Sequence, residues 1–188
     1  MRVAASSPPI SRLGISWQAL QRFCSEHKDQ LKGLTTTQVR DWIIKPATAK
    51  TKGAFCDVYP NMFQKANVFV SHAWRYNFLT DLVASIESWL KEQALNSAVE
   101  WFFWIDIFVV PQHADPPENQ NSEEQASNFQ MFSDGFQQAL QDIGRAVFVL
   151  PPWNKPEWIF RIWCLSVSHK WRAPRTSAAG RVRRAEPW

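Results

Sequence analysis

The sequence centres on the segment Asn67–Trp74, NVFVSHAW. Its first half, Val68–Val70, is an unbroken apolar run that is too short for a helix and typical of a strand covered on both faces. The run ends abruptly in Ser71 and His72, and an amphipathic helical pattern follows over residues 77–93. A buried strand that feeds a helix is the first unit of a parallel α/β sheet. In such sheets, ligands and partners meet the carboxyl ends of the strands.

Two further apolar runs predict two more strands. Val99–Val110 (VEWFFWIDIFVV) is rich in aromatic and β-branched residues and is interrupted only by Asp106, and Ala146–Leu150 (AVFVL) is the third run. Apolar residues recur at three- and four-residue intervals over Phe129–Ile143, which predicts a helix, and another helix begins at Trp158. This order predicts a doubly wound α/β domain over residues 66–167 with right-handed crossovers.

Residues 1–65 predict a helical lead-in to this domain and not a separate unit. Ser16 is a good N-cap for a helix that extends to about Lys32, where Gly33 stops it. A short second helix, Gln38–Ile44, begins after a run of threonines and is expected to end before Pro46, because proline disfavours the helical conformation in the preceding residue. Glycine and proline then mark residues 47–64 as a connecting arm.

The net charge of +4 is concentrated at the end of the chain. Residues 168–188 hold six cations and one anion, so the remaining residues together carry a charge of −1. This end has no apolar periodicity, which predicts a disordered basic tail. Three interpretations remain open. The tail is a solvated segment, it contacts nucleic acid or anionic lipid weakly through its charge, or it is read-through past a missed splice junction.

Several classes of protein are excluded by composition. No apolar run approaches the ~18–20 residues that a membrane-spanning helix needs, and the first ten residues lack the apolar core of a signal peptide. Cys24, Cys56 and Cys164 are an odd number of cysteines without CxxC spacing, which favours free thiols in a reducing compartment. We therefore expect a cytoplasmic protein. His72, His113 and Cys164 are too widely spaced to predict a metal site.

Three short motifs, in this order, resemble the TIR (Toll/interleukin-1 receptor) family, and more narrowly the divergent TIR-like domains of microbial eukaryotes. They are Phe69–Trp74 (FVSHAW), Trp104–Phe108 (WIDIF) with Gln112-His113, and Arg161–Leu165 (RIWCL). The arm Ile43–Thr48 (IIKPAT) is similar to the lead-in that often precedes such a domain. The resemblance spans about Asn67 to Leu165. It implies a flavodoxin-like parallel sheet of five strands, of which this chain is expected to hold about three.

The resemblance also implies two kinds of activity. Some TIR domains assemble as signalling scaffolds, and others cleave NAD⁺ with a glutamate two residues beyond the leucine of a Trp-Cys-Leu motif. Val167 occupies that position here. We therefore expect a signalling and assembly module without catalytic activity, which associates with itself or with other TIR-like domains and requires no cofactor. The alternatives are an NAD⁺ nucleosidase whose acid is Asp106 or Glu157, with NAD⁺ as substrate, and an accessory binding protein that acts through the basic tail.

Eight residues are singled out as candidates for a site. The candidates for ligand binding are Ser71, His72, Trp74, Asp106 and Trp153, and those for a structural motif are Arg161, Trp163 and Cys164.

Both central candidates have a structural alternative. His72 either hydrogen-bonds a ribose or phosphate or is satisfied by neighbouring backbone. Asp106 either faces the crevice or pairs with a cation or caps a loop, because an unpaired buried carboxylate is costly. A hydrolase triad of Ser71, His72 and Asp106 is disfavoured, since adjacent strand residues point to opposite faces. The polar segment 111–128 is expected to be a long exposed loop, either an assembly and gating element or a solvated connector.

Overall fold

The three predicted apolar runs form a parallel set of strands in the computed structural model, which describes residues 10–93, 99–113 and 134–150. Val68–Ser71 pairs in parallel with Phe102–Trp104 on one side and with Ala146–Phe148 on the other. The first of the three strands therefore lies between the second and the third. The sequence predicts such a reversal of strand order, and in α/β sheets ligands commonly bind at the carboxyl ends of the strands beside it.

The complete sheet is mixed and contains five strands, which corrects the expectation of a partial, purely parallel sheet of about three. In chain order the strands are β1 (Leu13–Ser16), β2 (Phe63–Lys65), β3 (Val68–Ser71), β4 (Phe102–Trp104) and β5 (Ala146–Phe148), and their order in the sheet is β2-β1-β4-β3-β5. β1 runs antiparallel to both β2 and β4. The two additional strands come from the N-terminal region, so residues 13–16 and 63–65 belong to the same sheet as the parallel strands.

Both additional strands are hard to recognise in the sequence. β1 has only four residues, and its last residue, Ser16, is also the N-cap of the helix that follows. Two of the three residues of β2 are exposed. Neither segment therefore forms an apolar or alternating run long enough to predict a strand.

β1 approaches β4 unusually closely at Gly14. A Cβ atom at this position would lie 2.8 Å from the carbonyl carbon of Phe102 and 2.9 Å from that of Phe103. These contacts are with backbone, which cannot move aside without breaking the sheet.

We therefore expect Gly14→Ala to lower the free energy of unfolding by about 2–3 kcal/mol, measured by urea denaturation. Gly33→Ala is the matched control. Gly33 has a φ of +73° and no atom within 4 Å of a Cβ, so only a conformational cost of about 1 kcal/mol applies there. Equal losses in the two variants would contradict the close approach of β1 to β4.

The helices surround this sheet. They are α1 (Trp17–Glu26), α2 (Thr36–Val39), α3 (Lys45–Ala47), α4 (Phe55–Val58), α5 (Ala84–Gln93), α6 (Asp106–Val109) and α7 (residues 134–143). A π-helical turn, Arg40–Ile44, joins α2 to α3, a second one, Phe78–Val83, precedes α5, and Pro60–Met62 is a 3₁₀ turn. None of the described helices is both long and apolar enough to span a bilayer.

The predicted caps are confirmed. The Ser16 hydroxyl accepts a hydrogen bond from the backbone N–H of Ala19, and Thr35 forms a capping box with Gln38. Gly144 directly follows α7 and has a positive φ of +72°. Gly33 also has a positive φ, but it lies beyond the end of α1 at Glu26 and does not stop that helix, so the stop predicted there is wrong.

Three predicted boundaries are wrong. α1 ends at Glu26 and not near Lys32, and the second helix continues through Pro46. The π-helical turn that precedes Pro46 widens the helix where proline has no N–H to donate, so the chain need not break there. Only Phe102–Trp104 of the predicted strand 99–110 forms a strand, because α6 begins at Asp106, whose carboxylate accepts the N–H of Ile107.

Aromatic side chains fill the core on two sides of the sheet. Phe108 packs edge-on against Phe23 at 5.2 Å and lies 5.5 Å from Phe55, measured between ring centroids. Elsewhere Trp104 stacks on Phe69 at 4.5 Å with an interplanar angle of 9°. The N-terminal helices thus share one continuous core with the parallel strands.

The two cysteines of the described region are free, as predicted. Burial raises the pKa of both Cys24 and Cys56 to about 11. Since the thiolate is the reactive form, we expect both thiols to react slowly with a disulfide reagent at pH 8 in the native protein and fast after unfolding in urea. The test uses a Cys164→Ser background so that only these two thiols are counted. Rapid labelling of both in the native state would contradict their burial.

Three predicted features lie outside the described residues. They are most of the polar loop, from residue 114 onwards, the third helix after Trp158, and the basic tail at 168–188.

Candidate functional site

The carboxyl ends of β3 and β4 meet at one edge of the sheet, because the two strands are parallel neighbours. His72 follows β3 directly, and Asp106 begins α6 two residues after β4. Both side chains are buried, His72 with 3% and Asp106 with 6% of its surface exposed. These are the two polar groups that the sequence places at the mouths of the strands, and the fold brings them within 3.9 Å of each other, between His72 Nε2 and Asp106 Oδ1.

Both carboxylate oxygens of Asp106 have partners inside the protein. Oδ2 accepts a hydrogen bond from the indole N–H of Trp74 at 2.6 Å, and Oδ1 accepts one from the backbone N–H of Ile107 at 2.8 Å. Hydrogen bonds to a carboxylate are among the stronger ones in proteins, and they offset part of the cost of burying its charge. Of the two sequence-based interpretations of Asp106, this geometry favours the one in which it caps a neighbouring segment.

Trp74 connects Asp106 to the N-terminal region. Its backbone carbonyl accepts hydrogen bonds from the N–H of Thr37 at 2.9 Å and from the hydroxyl of Thr37 at 3.2 Å. The guanidinium of Arg40 lies 4.8 Å from the centroid of the indole ring, within the range of a cation–π contact. Thr37 and Arg40 are contributors that the sequence analysis did not identify. No local pattern points to them, since they are more than thirty residues away from Trp74 in the chain.

The segment before Thr37 extends this contact. The backbone N–H of Thr36 donates to the carbonyl of Tyr76, and that of Phe78 donates to the carbonyl of Leu34. Residues 34–40 are therefore held along the loop that follows β3. Leu34 and Val39 are also buried in the core, so this coverage is a permanent part of the fold.

The chain beyond α6 is fixed in a similar way. The side-chain amide of Gln112 donates to the backbone carbonyls of Asp106 at 3.1 Å and Val110 at 2.7 Å. His113 Nε2 lies 2.8 Å from the hydroxyl oxygen of Thr48. Because the Thr48 hydroxyl donates its proton to the carbonyl of Ile44, we assign the proton of this contact to His113 Nε2.

The contact between His113 and Thr48 joins two of the segments that carry the family resemblance. Thr48 ends the IIKPAT arm, and His113 follows the WIDIF motif. The two residues are 65 positions apart, so only the tertiary structure brings them together.

The structure brings several of the predicted ligand-binding residues together. His72, Trp74 and Asp106 form one cluster beside Ser71, whose backbone carbonyl accepts the N–H of Val149 at 2.9 Å. Trp153 and the predicted structural residues Arg161, Trp163 and Cys164 lie outside the described residues, as does Val167. Within the described ranges, no group of three histidine, cysteine or acidic side chains is arranged to hold a metal ion.

This arrangement is best suited to holding the strand ends together. Asp106 joins β4 to the loop after β3 through Trp74, and Trp74 joins that loop to residues 37–40. A ligand could reach the remaining lone pairs of the Asp106 carboxylate only if the packing around it opened, because Asp106 is buried. Comparison of the chain with protein-family models, with curated protein sequences and with solved structures gives no significant match.

Proposed function

We propose that this protein is a TIR-like signalling and assembly module that acts through protein contacts and does not cleave NAD⁺. The observation that carries the proposal is the engagement of Asp106, whose two carboxylate oxygens bind Trp74 and Ile107 in a buried position at the strand ends. The order of the parallel strands, with β3 between β4 and β5, supports the flavodoxin-like part of the resemblance.

The chemistry of NAD⁺ cleavage argues against Asp106 as its acid. Breaking the nicotinamide–ribose bond develops positive charge on the sugar, and a carboxylate stabilises that charge only if it can approach the ribose. Asp106 is 6% exposed, and its Oδ2 lies 2.6 Å from the Trp74 indole nitrogen. Contact with a ribose would require the packing around this buried carboxylate to open.

The expected partners are further copies of this chain or other TIR-like domains, in the cytoplasm and without a required cofactor. The free thiols of Cys24 and Cys56 support a reducing compartment. The choice of TIR-like domains as partners follows from the family resemblance, which the order of the parallel strands supports. A direct measurement of self-association therefore tests the proposal.

We expect the pure protein to self-associate with rising concentration in analytical ultracentrifugation and to release no nicotinamide from NAD⁺ above the rate of a heat-inactivated sample. The alternative functions give different results. Steady nicotinamide release that is abolished in a folded Asp106→Asn variant would overturn the scaffold proposal in favour of the nucleosidase. A monomer at all concentrations that binds polyanions with a steep salt dependence would instead favour the tail-driven binding protein.

A further inference from the structure

The outer face of the helical run that follows Thr35 presents an exposed tryptophan. Trp42 is 61% exposed, the largest value among the exposed large hydrophobic side chains of the described residues. It lies in the π-helical turn Arg40–Ile44, whose inner residues Ile43 and Ile44 are buried. The backbone that carries Trp42 is therefore anchored in the core, and the indole is presented to solvent from a fixed position.

The exposed face continues along the same run beyond Trp42. α3 ends at Ala47, and residues 48–51 form a turn that is closed by a hydrogen bond from the N–H of Lys52 to the carbonyl of Thr48 at 2.9 Å. Trp42, Pro46 and Ala49 are all exposed, and they follow each other at spacings of four and three residues. Trp42 and Pro46 lie four residues apart within the helical run and so share one side of it, and Ala49 lies in the turn that follows. We call these three exposed residues the apolar ridge.

Positive charge flanks this ridge. Lys45, Lys50 and Lys52 lie beside it in the chain, and Lys50 and Lys52 are exposed. The nearby carboxylate of Asp41 is shared, since it contacts Arg40 at 2.7 Å and Lys45 at 3.8 Å. The stretch between residues 40 and 52 thus holds four cations and one anion, a net charge of 4 − 1 = +3.

We propose that this ridge, formed by Trp42, Pro46 and Ala49 and flanked by Lys45, Lys50 and Lys52, docks a partner segment in which carboxylates stand beside an apolar side chain. The inference rests on the proposed function, since it names the chemistry of the protein partner. Exposed tryptophan next to cations is the composition of interface hot spots, in which an aromatic anchor supplies affinity and rim charges select the partner.

A peptide fits this surface better than a nucleic acid does. Single strands are bound by stacking successive bases on several aromatic side chains, whereas the ridge offers one indole beside a proline and an alanine. The apolar part of the ridge instead matches the side chain of an aliphatic residue, and the lysines match glutamate or aspartate on either side of it.

The test uses fluorescence anisotropy with a fluorescein-labelled peptide of repeated Glu-Glu-Leu units and the full chain. We expect saturable binding that Trp42→Ala weakens at least about tenfold, because the variant removes the anchor. Lys50→Glu should weaken binding and reduce its dependence on salt. Tyr59→Ala and Lys28→Glu are the matched controls, since Tyr59 and Lys28 are also exposed but lie outside the ridge, and both should bind like the unmodified protein.

Three results would overturn the proposal. They are the absence of saturable binding, an equal loss of affinity in the control variants, and displacement of the peptide by a polyuridine RNA that binds more tightly and also depends on Trp42. Sedimentation of the same samples distinguishes a failure of the docking proposal from a failure of the proposed function. If the protein binds the peptide but never self-associates, the docking proposal is supported and self-assembly is contradicted. Self-association without peptide binding contradicts the surface alone.

Discussion

Trp104→Ala is expected to lower the free energy of unfolding by about 3–5 kcal/mol. Trp104 is fully buried in β4, where its ring stacks on Phe69 at 4.5 Å and meets the ring of Phe136 edge-on at 5.0 Å. Its indole N–H donates to the backbone carbonyl of Ser11 at 2.8 Å. Truncation therefore leaves a large cavity and an unpaired carbonyl, and it loosens three elements at once: β3, α7 and the segment that precedes β1.

The measurement is chemical denaturation followed by far-ultraviolet circular dichroism. Trp104→Phe is the matched control, because it keeps a ring on Phe69 and removes the N–H and part of the volume. We expect this variant to lose about 1–2 kcal/mol, close to the value of the hydrogen bond and the smaller cavity. A loss below about 1 kcal/mol for Trp104→Ala would show that β4 does not have the buried position described.

Asp106→Ala is expected to have an effect of similar size, about 3–5 kcal/mol. The substitution removes the acceptor of the Trp74 indole N–H and that of the Ile107 N–H, and it leaves both donors buried without a partner. It also removes the carboxylate that lies 3.9 Å from His72 Nε2.

Asp106→Asn separates the roles of shape and charge at this position. The amide keeps one acceptor oxygen and the approximate volume, so we expect a loss smaller than that of alanine. Asp29→Asn, at an exposed position, is the control and should change stability by less than about 0.5 kcal/mol. If Asp106→Asn leaves stability unchanged and weakens the binding of NAD⁺, the carboxylate serves a ligand and the structural interpretation is wrong.

The N-terminal segment is tied to the rest of the fold beyond its strand pairing. Arg12 pairs with Asp142 of α7 at 2.7 Å, and this hydrogen bond lowers the pKa of the Asp142 carboxyl. Ile10 packs against Gly135, where an added Cβ would clash with the Ile10 Cδ1 atom. The contacts of β1 with β4 and of residues 10–12 with α7 explain why this region is part of the sheet and not a detachable arm.

Local pattern alone is enough to predict the parallel centre of the fold. The run at Val68–Val70 is apolar at every position, which requires cover on both faces, and the helical period over residues 77–93 requires one buried side. The caps at Ser16 and Thr35 and the positive φ of Gly144 after α7 follow from the chemistry of single residues. Each of these depends on neighbours within a few positions of the chain.

Tertiary contacts are what place β1, β2 and the partners of Asp106. β1 is a strand because Gly14 lets its backbone lie against Phe102 and Phe103, nearly ninety residues further along the chain. Asp106 is expected near the strand mouths from its position after β4, but its role depends on Trp74, which is 32 residues away, and on the Arg40 that lies over Trp74. Short-range patterns carry no information about such pairs, because the cost of burying a carboxylate is offset by whichever donors the folded chain brings to it.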